Sequence, residues 1–301
     1  MIPEYLMSAA TQEQGGIRHV YDLRAGTGTS PAPCSATVAV DAQGVTIGGG
    51  RASVALLRAT PGSGCGMQTR AAEKFYFVLE GLIEADIGGR ILAVPALHAL
   101  HVPAGTPHAL RAATDCTFIV TESRAAGVPP AETWRTGSPV MTTPRSHVPA
   151  AGELRHVYPI DQLDAVPSGA SSAKVVPKNF VSGKSSSFGA ALSGASLHVG
   201  VIHKARGSGA KLHTHPNEQF NVVLAGRMLG EIDGAPMDVV PLGLVHMPPG
   251  VRHCTMASAE GDITVFVVKD TSHGLSGPPV DGIEDGPRYL PGFGPQGAGN
   301  Q

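Results

Sequence analysis

The hydrophobic pattern of the chain consists of short apolar runs that end at Gly, Pro or Asp, and helical periodicity is weak throughout. Runs of about four to eight residues bounded by such turn residues are typical of β-strands. In the first half we predict strands at 36–41, 52–59, 74–80, 82–87, 90–95, 99–102 and 117–122. In the second half we predict strands at 195–204, 211–215, 219–225, 227–232, 237–241, 244–247 and 262–269. Short strands at regular spacing predict an all-β sandwich or barrel.

The pattern of the first half returns in the second. An offset of 145 residues brings the first half onto the second at Glu73 and Glu218, Phe75 and Phe220, Gly81 and Gly226, His101 and His246, Gly105 and Gly250, and His108 and His253. A second echo, RHVYDL at 18–23 and RHVYPI at 155–160, has an offset of 137. Solenoid repeats are only about 20–50 residues long. The longer period therefore predicts a duplicated domain, with one copy in 1–150 and the other in 151–301.

Two segments lack the strand pattern. Residues 122–150 are rich in Pro, Ala and Thr and contain Trp134, so we expect them to connect the two domains. The segment 274–301 is rich in Gly and Pro, and we expect it to be extended and partly disordered, or to wrap across a neighbouring subunit.

Composition supports a folded, turn-rich protein and excludes several partners. The 301 residues include 39 Gly and 25 Pro, and 42% are hydrophobic against 15% charged, which is the opposite of a disordered chain. The net charge is −2 without a basic run, so we expect no nucleic-acid binding. We also expect no membrane span, because no apolar run approaches about 18 residues. The chain starts without a signal-peptide pattern and its four Cys are widely separated, which predicts reduced thiols and a cytoplasmic protein.

Histidines in the second half have the spacing of metal ligands. His213 and His215 lie two apart on a predicted strand, which directs both side chains to one face. Gln219 follows four residues later, and His253 comes after a P-P-G turn that reverses the chain. Three neutral nitrogen donors and one oxygen donor suit a divalent transition ion.

At these residues the sequence resembles the cupin superfamily, whose motifs are G-x5-H-x-H-x3,4-E-x6-G and G-x5-P-x-G-x2-H-x3-N. The residues that match are Gly207, His213, His215, Gly226, Pro248, Gly250 and His253. Because both motifs have an echo in each half, the resemblance implies a bicupin of two β-barrels of the double-stranded β-helix or jelly-roll type. It implies little about the reaction, since one fold serves many chemistries.

The sequence also departs from the cupin motifs. Ala257 replaces the final Asn of the second motif, and Gly243 stands one residue late. Gln219 occupies the usual carboxylate position, with Glu218 beside it, and the spacing to Gly226 selects Gln219 as the ligand. A ligand set of three His and one Gln leaves the ion its full charge, which strengthens it as a Lewis acid. We expect one ion per chain, Fe2+ or Mn2+ first, with Ni2+, Co2+ or Zn2+ as alternatives.

The first half has different residues at the ligand positions, namely Gln68, Arg70, Lys74 and His108. Two cationic side chains would repel a metal ion. We therefore expect the intact metal site in the C-terminal barrel only, with the N-terminal barrel as a support and dimerisation domain. The alternative is an anion pocket formed by Arg70, Lys74 and His108.

Three further residues are candidates for contact with substrate. Asn221 shares the inward face with Gln219, although a core amide is an equal interpretation. Arg252, next to His253, is a candidate partner for a substrate carboxylate, against the default of a surface arginine. Glu218 is the nearby acid that stands out as a general base. His246 fits a structural strand histidine better than a fifth ligand.

The leading hypothesis is a metal-dependent Fe(II) or Mn(II) dioxygenase that acts on a small oxygenated substrate. The first alternative is a non-oxidative enzyme, an aminohydrolase, isomerase or lyase, and bicupins that resemble ureidoglycine aminohydrolase place manganese in the C-terminal barrel only. The second alternative is a metal-stabilised binding protein without turnover. Cupins commonly pair through edge strands or exchanged N-terminal segments, so we expect a homodimer.

Overall fold

A computed structural model describes residues 17–24, 33–124, 154–178 and 185–294. The predicted connection at 122–150, with Trp134, lies almost wholly outside these ranges, and so do residues 295–301. The described residues are nearly all strands and turns, with one short 3₁₀ helix at Leu163–Ala165. No helix in this part of the chain has the length and hydrophobicity needed to cross a membrane. The predicted all-β class is confirmed.

The strands are numbered in chain order. Those before residue 125 are β1 Val20–Asp22, β2 Thr37–Val40, β3 Gly44–Gly48, β4 Ala52–Ala59, β5 Gly64–Gln68, β6 Lys74–Glu80, β7 Leu82–Ile87, β8 Arg90–Pro95, β9 His98–Val102, β10 His108–Ala112 and β11 Cys116–Ser123. Those that follow are β12 Val157–Pro159, β13 Lys174–Val176, β14 Ala191–Ser193, β15 Leu197–Lys204, β16 Ser208–Gly209, β17 Gln219–Ala225, β18 Met228–Ile232, β19 Ala235–Val239, β20 Gly243–Met247, β21 His253–Ala257, β22 Ile263–Asp270 and β23 Arg288–Tyr289.

The described residues form two compact units. The first is drawn from Met1–Ala36, Lys178–Gly189 and Gly200–Gln301, and we name it the C-terminal barrel. The second is drawn from Thr37–Pro177 and Ala190–Val199, and we name it the N-terminal barrel. Neither unit is one continuous half of the chain, so the compact units do not follow the predicted division at residue 150.

The N-terminal barrel consists of two antiparallel sheets, β12-β9-β6-β11-β4-β3-β2 and β5-β10-β7-β8. Alternate residues of these strands face a common apolar core. That core includes Tyr76, Ile83, Leu100, Leu110 and Phe118, all without exposed surface. Burial of such alternating positions is what the sequence pattern of the strands predicts.

The C-terminal barrel has the same plan. One sheet contains β1-β20-β17-β22 and residues 200–204 of β15, and the other has the order β19-β18-β21-β16-β23. The core between the sheets includes Val223, Met228, Ile232, Val245 and Met247. The pairing β17-β20 and β17-β22 places β17 at the centre of its sheet, which is why its residues are buried almost throughout.

The duplicated RHVY segments explain why the compact units differ from the sequence halves. The first segment forms β1, which pairs with β20 of the C-terminal barrel, and the second forms β12, which pairs with β9 of the N-terminal barrel. In each barrel the segment's histidine, His19 or His156, bonds through Nδ1 to the backbone oxygen of a strand histidine. Each segment therefore adds a strand to the barrel that is formed mainly by the other half of the chain.

Each barrel also contains the same buried Glu–His pair. His101 Nε2 lies 2.9 Å from Glu73 Oε1, and His246 Nε2 lies 3.0 Å from Glu218 Oε1. Each histidine stacks on a neighbouring Phe of the same sheet, with ring centroids 4.3 and 4.6 Å apart. This geometry agrees with the expectation that His246 is a structural histidine.

Some predicted elements are wrong. Residues 211–215 do not form a strand: His213 makes isolated bridges to His253 and Pro279, and His215 lies in irregular backbone. The sequence pattern also missed β3, β5, β10 and β21, because Gly, Pro and His interrupt their apolar runs. Part of the predicted loose tail is ordered, since β23 pairs with β16 and Val280 donates a backbone hydrogen bond to Leu212.

Candidate metal centre

Three histidines of the C-terminal barrel converge on one point. The ligand nitrogens of His213, His215 and His253 all lie within 4.8 Å of one another. Their ring centroids are 5.8 Å apart for His213 and His215, 4.3 Å for His213 and His253, and 4.8 Å for His215 and His253. The spacing of the sequence motif thus corresponds to a real cluster, although the segment with the first two histidines is not a strand.

Local backbone holds each imidazole in place. The Nδ1 atoms of His213 and His253 lie 2.8 and 3.1 Å from the carbonyl oxygens of Lys211 and Val251, each two residues earlier. Gly250, with φ of 78°, forms the turn that delivers His253 to the start of β21, a conformation that favours glycine. A hydrogen bond from Nδ1 fixes the tautomer and leaves the Nε2 lone pair available to a metal.

Gln219 is the oxygen donor beside the cluster. Its Oε1 lies 3.0 Å from His215 Nε2, and its Nε2 donates to Asn221 Oδ1 over 2.7 Å. Asn221 therefore orients the amide of Gln219 so that the oxygen faces the histidines. Because His215 Nδ1 also faces the carbonyl oxygen of Asn217, at 3.1 Å, both ring nitrogens of His215 meet an acceptor.

Burial keeps the three imidazoles neutral. It lowers the pKa of His213 and of His215 to about 4, and nearby Lys269 and Lys204 add to the effect at His213. Burial also lowers the pKa of His253 well below its ordinary value, assisted by the other two histidines. Histidines with such values are neutral at pH 7, which is the form that binds metals.

The residues fit a divalent transition ion. In the part of the chain that the structure describes, the buried Nε2 of His253 has no hydrogen-bond partner. Neutral His215 has one N–H for two facing acceptors, so one of its nitrogens directs a lone pair at an oxygen. A cation between these atoms would satisfy both features. Imidazole nitrogens with an amide oxygen are donors that Mn, Fe, Ni, Co or Zn ions accept.

A cavity of about 110 Å³ opens beside the cluster. Its walls include His213, His253, Gln219 and Asn221. The remaining lining residues are Ser185, Ser187, Ile202, Lys204, Ala210, Lys211, Thr255, Val265, Val267, Lys269, Leu275, Ser276, Gly277 and Pro279. The arrangement offers a small molecule direct access to an ion held by the histidines.

Sequence reasoning missed two buried lysines in this cavity. Lys204 ends β15 and Lys269 lies near the end of β22, and each side chain is 6% exposed. Burial lowers the pKa of Lys204 to about 8 and that of Lys269 to about 7, in the latter case with a contribution from Lys204. The available signal was a lysine that ends an otherwise apolar strand, as in VGVIHK and TVFVVK.

The other two predicted site residues do not reach the cluster. The Glu218 carboxylate bonds to His246, and its backbone N–H donates to the Asp270 side chain. Arg252 is exposed in the turn before β21 and does not line the cavity. Strand alternation separates Glu218 from Gln219, in agreement with the choice of Gln219 as the ligand.

The corresponding residues of the N-terminal barrel contact neighbouring protein groups. Fully buried Lys74 lies 3.4 Å from the Glu122 carboxylate, and Arg70 Nε donates to Gln68 Oε1 over 2.8 Å. His108 Nδ1 lies 2.9 Å from the carbonyl oxygen of Thr106. Among the described residues, the histidine cluster of the C-terminal barrel is the group of potential ligands close enough together to hold a metal ion. An anion pocket in the N-terminal barrel stays a prediction.

The C-terminal segment forms one wall of the cavity, and Gly277 lets it approach closely. A Cβ at Gly277 would lie 2.0 Å from the backbone oxygen of Thr214, within the histidine motif. We expect Gly277→Ala to push the segment off the cavity wall and to destabilise the C-terminal barrel by about 1–3 kcal/mol. Limited proteolysis followed by mass spectrometry would detect faster cleavage within 274–290.

Gly274→Ala is the matched control for this prediction, because a Cβ at Gly274 meets no atom within 4 Å. It should be cleaved at the wild-type rate. Equal cleavage of the two variants would contradict a close approach at Gly277.

Comparisons with known proteins agree with this architecture. A sequence model of the cupin domain matches residues 200–269. No curated protein matches the chain. Two similar solved structures are of Bacillus subtilis oxalate decarboxylase, one a mutant with four substituted residues and one used to assign the EPR fine structure of its Mn(II) centres. Each has a TM-score of 0.55 at 12% identity, over 91% of this chain and 81% of the other.

A third oxalate decarboxylase structure, which concerns substrate binding and reaction specificity, has a TM-score of 0.54 at 12% identity with the same coverage. The chain thus has the fold of these two-barrel structures, and residues 200–269 match the cupin domain. The predicted fold is confirmed, and the resemblance to cupins is supported over residues 200–269.

Proposed function

We propose that this protein is a metal-dependent enzyme that acts on a small oxygenated substrate in the C-terminal barrel. The observation that supports the proposal is the convergence of three buried, neutral histidines and Gln219 at the wall of a small cavity. The divalent ion is one per chain, and Mn2+ or Fe2+ are its first candidates. The similar oxalate decarboxylase with Mn(II) centres has the same fold and gives Mn2+ additional weight.

Each residue of the proposed site has a defined task. His213, His215 and His253 would hold the ion, while the backbone carbonyls that face their Nδ1 atoms fix the orientation of the rings. Gln219 offers Oε1, with Asn221 as the residue that orients it. When bound, the ion supplies Lewis-acid polarisation of a substrate oxygen.

Two reaction classes suit this site, and the lysines favour the non-oxidative one. Hydrolysis, isomerisation or elimination needs a group that moves a proton near the substrate. Lys269, with a pKa lowered to about 7 by burial, holds such a proton at Nζ in the cavity. Glu218, the general base expected from the sequence, is bonded to His246 instead.

The dioxygenase hypothesis is the second candidate. His213, His215, His253 and Gln219 would hold the ion at the cavity wall, where an oxygenated substrate and dioxygen could both reach it. This chemistry uses the same histidines and Gln219 and does not need a protein base.

Oxygen consumption separates the two candidates. The protein would be reconstituted with Mn2+ or Fe2+ under argon and given a panel of small diketones, phenols and α-hydroxy acids, before and after admission of air. Conversion under argon supports the non-oxidative enzyme, and conversion that requires stoichiometric oxygen uptake supports the dioxygenase. Binding without conversion under both conditions would leave a metal-stabilised binding protein. The His253→Ala variant, treated identically, is the control for metal-independent reaction.

The quaternary structure and location are also part of the proposal. A cytoplasmic homodimer stays a prediction from the sequence, and light scattering coupled to size-exclusion chromatography would measure the mass in solution.

A further inference from the structure

The cavity beside the histidine cluster is lined by basic side chains and not by acidic ones. Its described lining includes three lysines, Lys204, Lys211 and Lys269, and no Asp or Glu. The lining Gln and Asn side chains carry no charge and a histidine never carries a negative one, so none of them offsets the charge of a protonated lysine. Any anion that balances this charge must therefore come from outside the lining.

Lys211 is the exception among the three lysines. Its Nζ lies 2.8 Å from a carboxylate oxygen of Asp281 and 2.7 Å from one of Asp285. Its charge is therefore satisfied by the C-terminal segment. Lys211 belongs to the structure of the cavity wall and has no need of a ligand.

The hydrogen bonds of Lys204 and Lys269 go to neutral groups. The Lys204 ammonium donates to the backbone oxygen of Thr255, over 2.7 Å, and to its hydroxyl. The Lys269 ammonium donates to the backbone oxygen of Leu275 over 2.7 Å. Among the described residues, no acidic side chain forms an ion pair with either lysine. The charge of the nearest acid along the chain, Asp270, acts to raise the pKa of Lys269 without an ion pair, and the Asp270 carboxylate accepts from the backbone N–H groups of Glu218 and Ser272.

Burial of two ammonium groups in one cavity without an ion pair is costly, because desolvation is not repaid. The cost would be larger still beside a divalent ion held by neutral ligands. Replacement of Lys269 by an apolar residue would remove the cost, so the lysine is explained by a ligand rather than by stability. An anion that enters the cavity would compensate both lysines at once.

The size of the cavity limits the anion. A volume of about 110 Å³ is well below the ~300 Å³ at which pockets for drug-sized ligands begin. Ile202, Val265 and Val267 supply apolar wall between the polar groups, which suits a short carbon skeleton. A molecule with two carboxylates, or with a carboxylate and an ionised oxygen, fits this volume and charge.

We infer that the substrate is a small dianionic organic acid, whose negative charges are held by Lys204 and Lys269 beside the histidine cluster. The identification of the anion as substrate depends on the proposed enzymatic function, whereas anion binding by the two lysines is testable without it. Lys204 and Lys269 are thus the residues that select a negatively charged substrate over a neutral one.

Calorimetric titration with three probes of nearly equal size tests the inference. Malonate is a dianion, malonamate a monoanion and malonamide neutral, so their affinities isolate the contribution of charge. We expect affinity to fall in that order in both metal-free and Mn2+-loaded protein. Lys204→Met and Lys269→Met should each weaken malonate binding by roughly 10- to 100-fold, the range for lost hydrogen bonds to charged groups, and leave malonamide unchanged.

A double variant provides the matched control. Lys211→Met combined with Asp285→Asn removes an ammonium from the same cavity wall and a carboxylate with it, so the net charge is unchanged. The ratio of malonate to malonamide affinity should stay within about twofold of wild type, as for a substitution away from the binding groups. Thermal unfolding adds a second readout, in which malonate raises the Tm of wild type and malonamide does not.

Equal affinity for the three probes, or malonate affinity that is unaffected in both Lys204→Met and Lys269→Met, would overturn the inference. Metal content, measured separately by mass spectrometry, keeps this result distinct from the proposed function. Loss of anion selectivity with full metal occupancy refutes the lysine assignment alone. Anion selectivity in protein that binds no metal refutes the metal enzyme and leaves the lysine assignment intact.

Discussion

Replacement of His253 by alanine should abolish binding of the divalent ion while the barrel remains folded. His253 supplies one of three nitrogens at the cluster, and its buried Nε2 has no hydrogen-bond partner within the described residues. Loss of a residue that merely orients a metal ligand typically costs 10- to 100-fold in affinity, so loss of a ligand should cost more than about 100-fold. Mass spectrometry of metal content after desalting, with titration of Mn2+, would measure the effect.

His213→Ala should give the same result, and His203→Ala is the matched control. His203 is an exposed histidine of the same barrel whose Nδ1 contacts the hydroxyl of Thr264. Its removal should leave metal content at the wild-type level. Full occupancy in both His253→Ala and His213→Ala would show that the ligands have been assigned wrongly.

The second large effect is expected from Glu73→Gln in the N-terminal barrel. Glu73 is 1% exposed, and its carboxylate accepts hydrogen bonds from the backbone N–H groups of Ala195, Ser196 and Leu197 at 2.7–2.8 Å, besides its contact with His101. An amide in its place would direct N–H groups at some of these donors. We expect the free energy of unfolding to fall by about 3–5 kcal/mol, the range for breaking a buried pair.

The stabilisation by Glu73 should depend on pH. Burial acts to raise the pKa of Glu73, but the hydrogen bonds from His101 and from the backbone of Ser196 and Ala195 outweigh it, so the pKa lies below its ordinary value of 4.5. A carboxylate with a lowered pKa in the folded state stabilises the protein above its unfolded value and loses that contribution as the pH falls through the folded value. The difference between wild type and Glu73→Gln should therefore be full above pH 4.5 and shrink below it.

Glu80→Gln serves as the control, because Glu80 ends the strand that Glu73 precedes and is exposed. Its unfolding free energy should stay within about 0.5 kcal/mol of wild type at every pH. Urea unfolding between pH 3 and pH 8 would compare the three proteins. A Glu73→Gln variant as stable as Glu80→Gln would mean that the buried pair contributes little.

Much of the fold could be predicted from the sequence because strand patterns are local. The boundaries of β4, β6, β7 and β8 match the predicted runs at 52–59, 74–80, 82–87 and 90–95. The offset of 145 residues predicted two barrels, and both are present. The irregular segment with His213 was predicted as a strand, because the pattern cannot distinguish a strand from an extended loop with the same alternation.

The candidate site was predictable only in part. The cluster was predicted from the spacing of His213, His215, Gln219 and His253. A motif could identify these residues because the number of residues between them is fixed in the sequence. Lys204 and Lys269 were missed because a lysine at the end of an apolar strand is the local signal of a surface lysine as well as of a buried one. Pairing of β17 with β22 places Lys269 opposite Gln219, fifty residues away in sequence.

The sequence by itself determined the all-β class, the duplication and the set of histidines, since each depends on periodicity or spacing within a short stretch of chain. Only the tertiary structure decided which half the RHVY segments complete, that Glu218 pairs with His246, and that the C-terminal segment lines the cavity. It also decided that Lys211 pairs with two carboxylates, whereas the other two lysines of the cavity donate to neutral oxygens. These features depend on which strands become neighbours, and hydrogen bonding and burial across distant segments determine that choice.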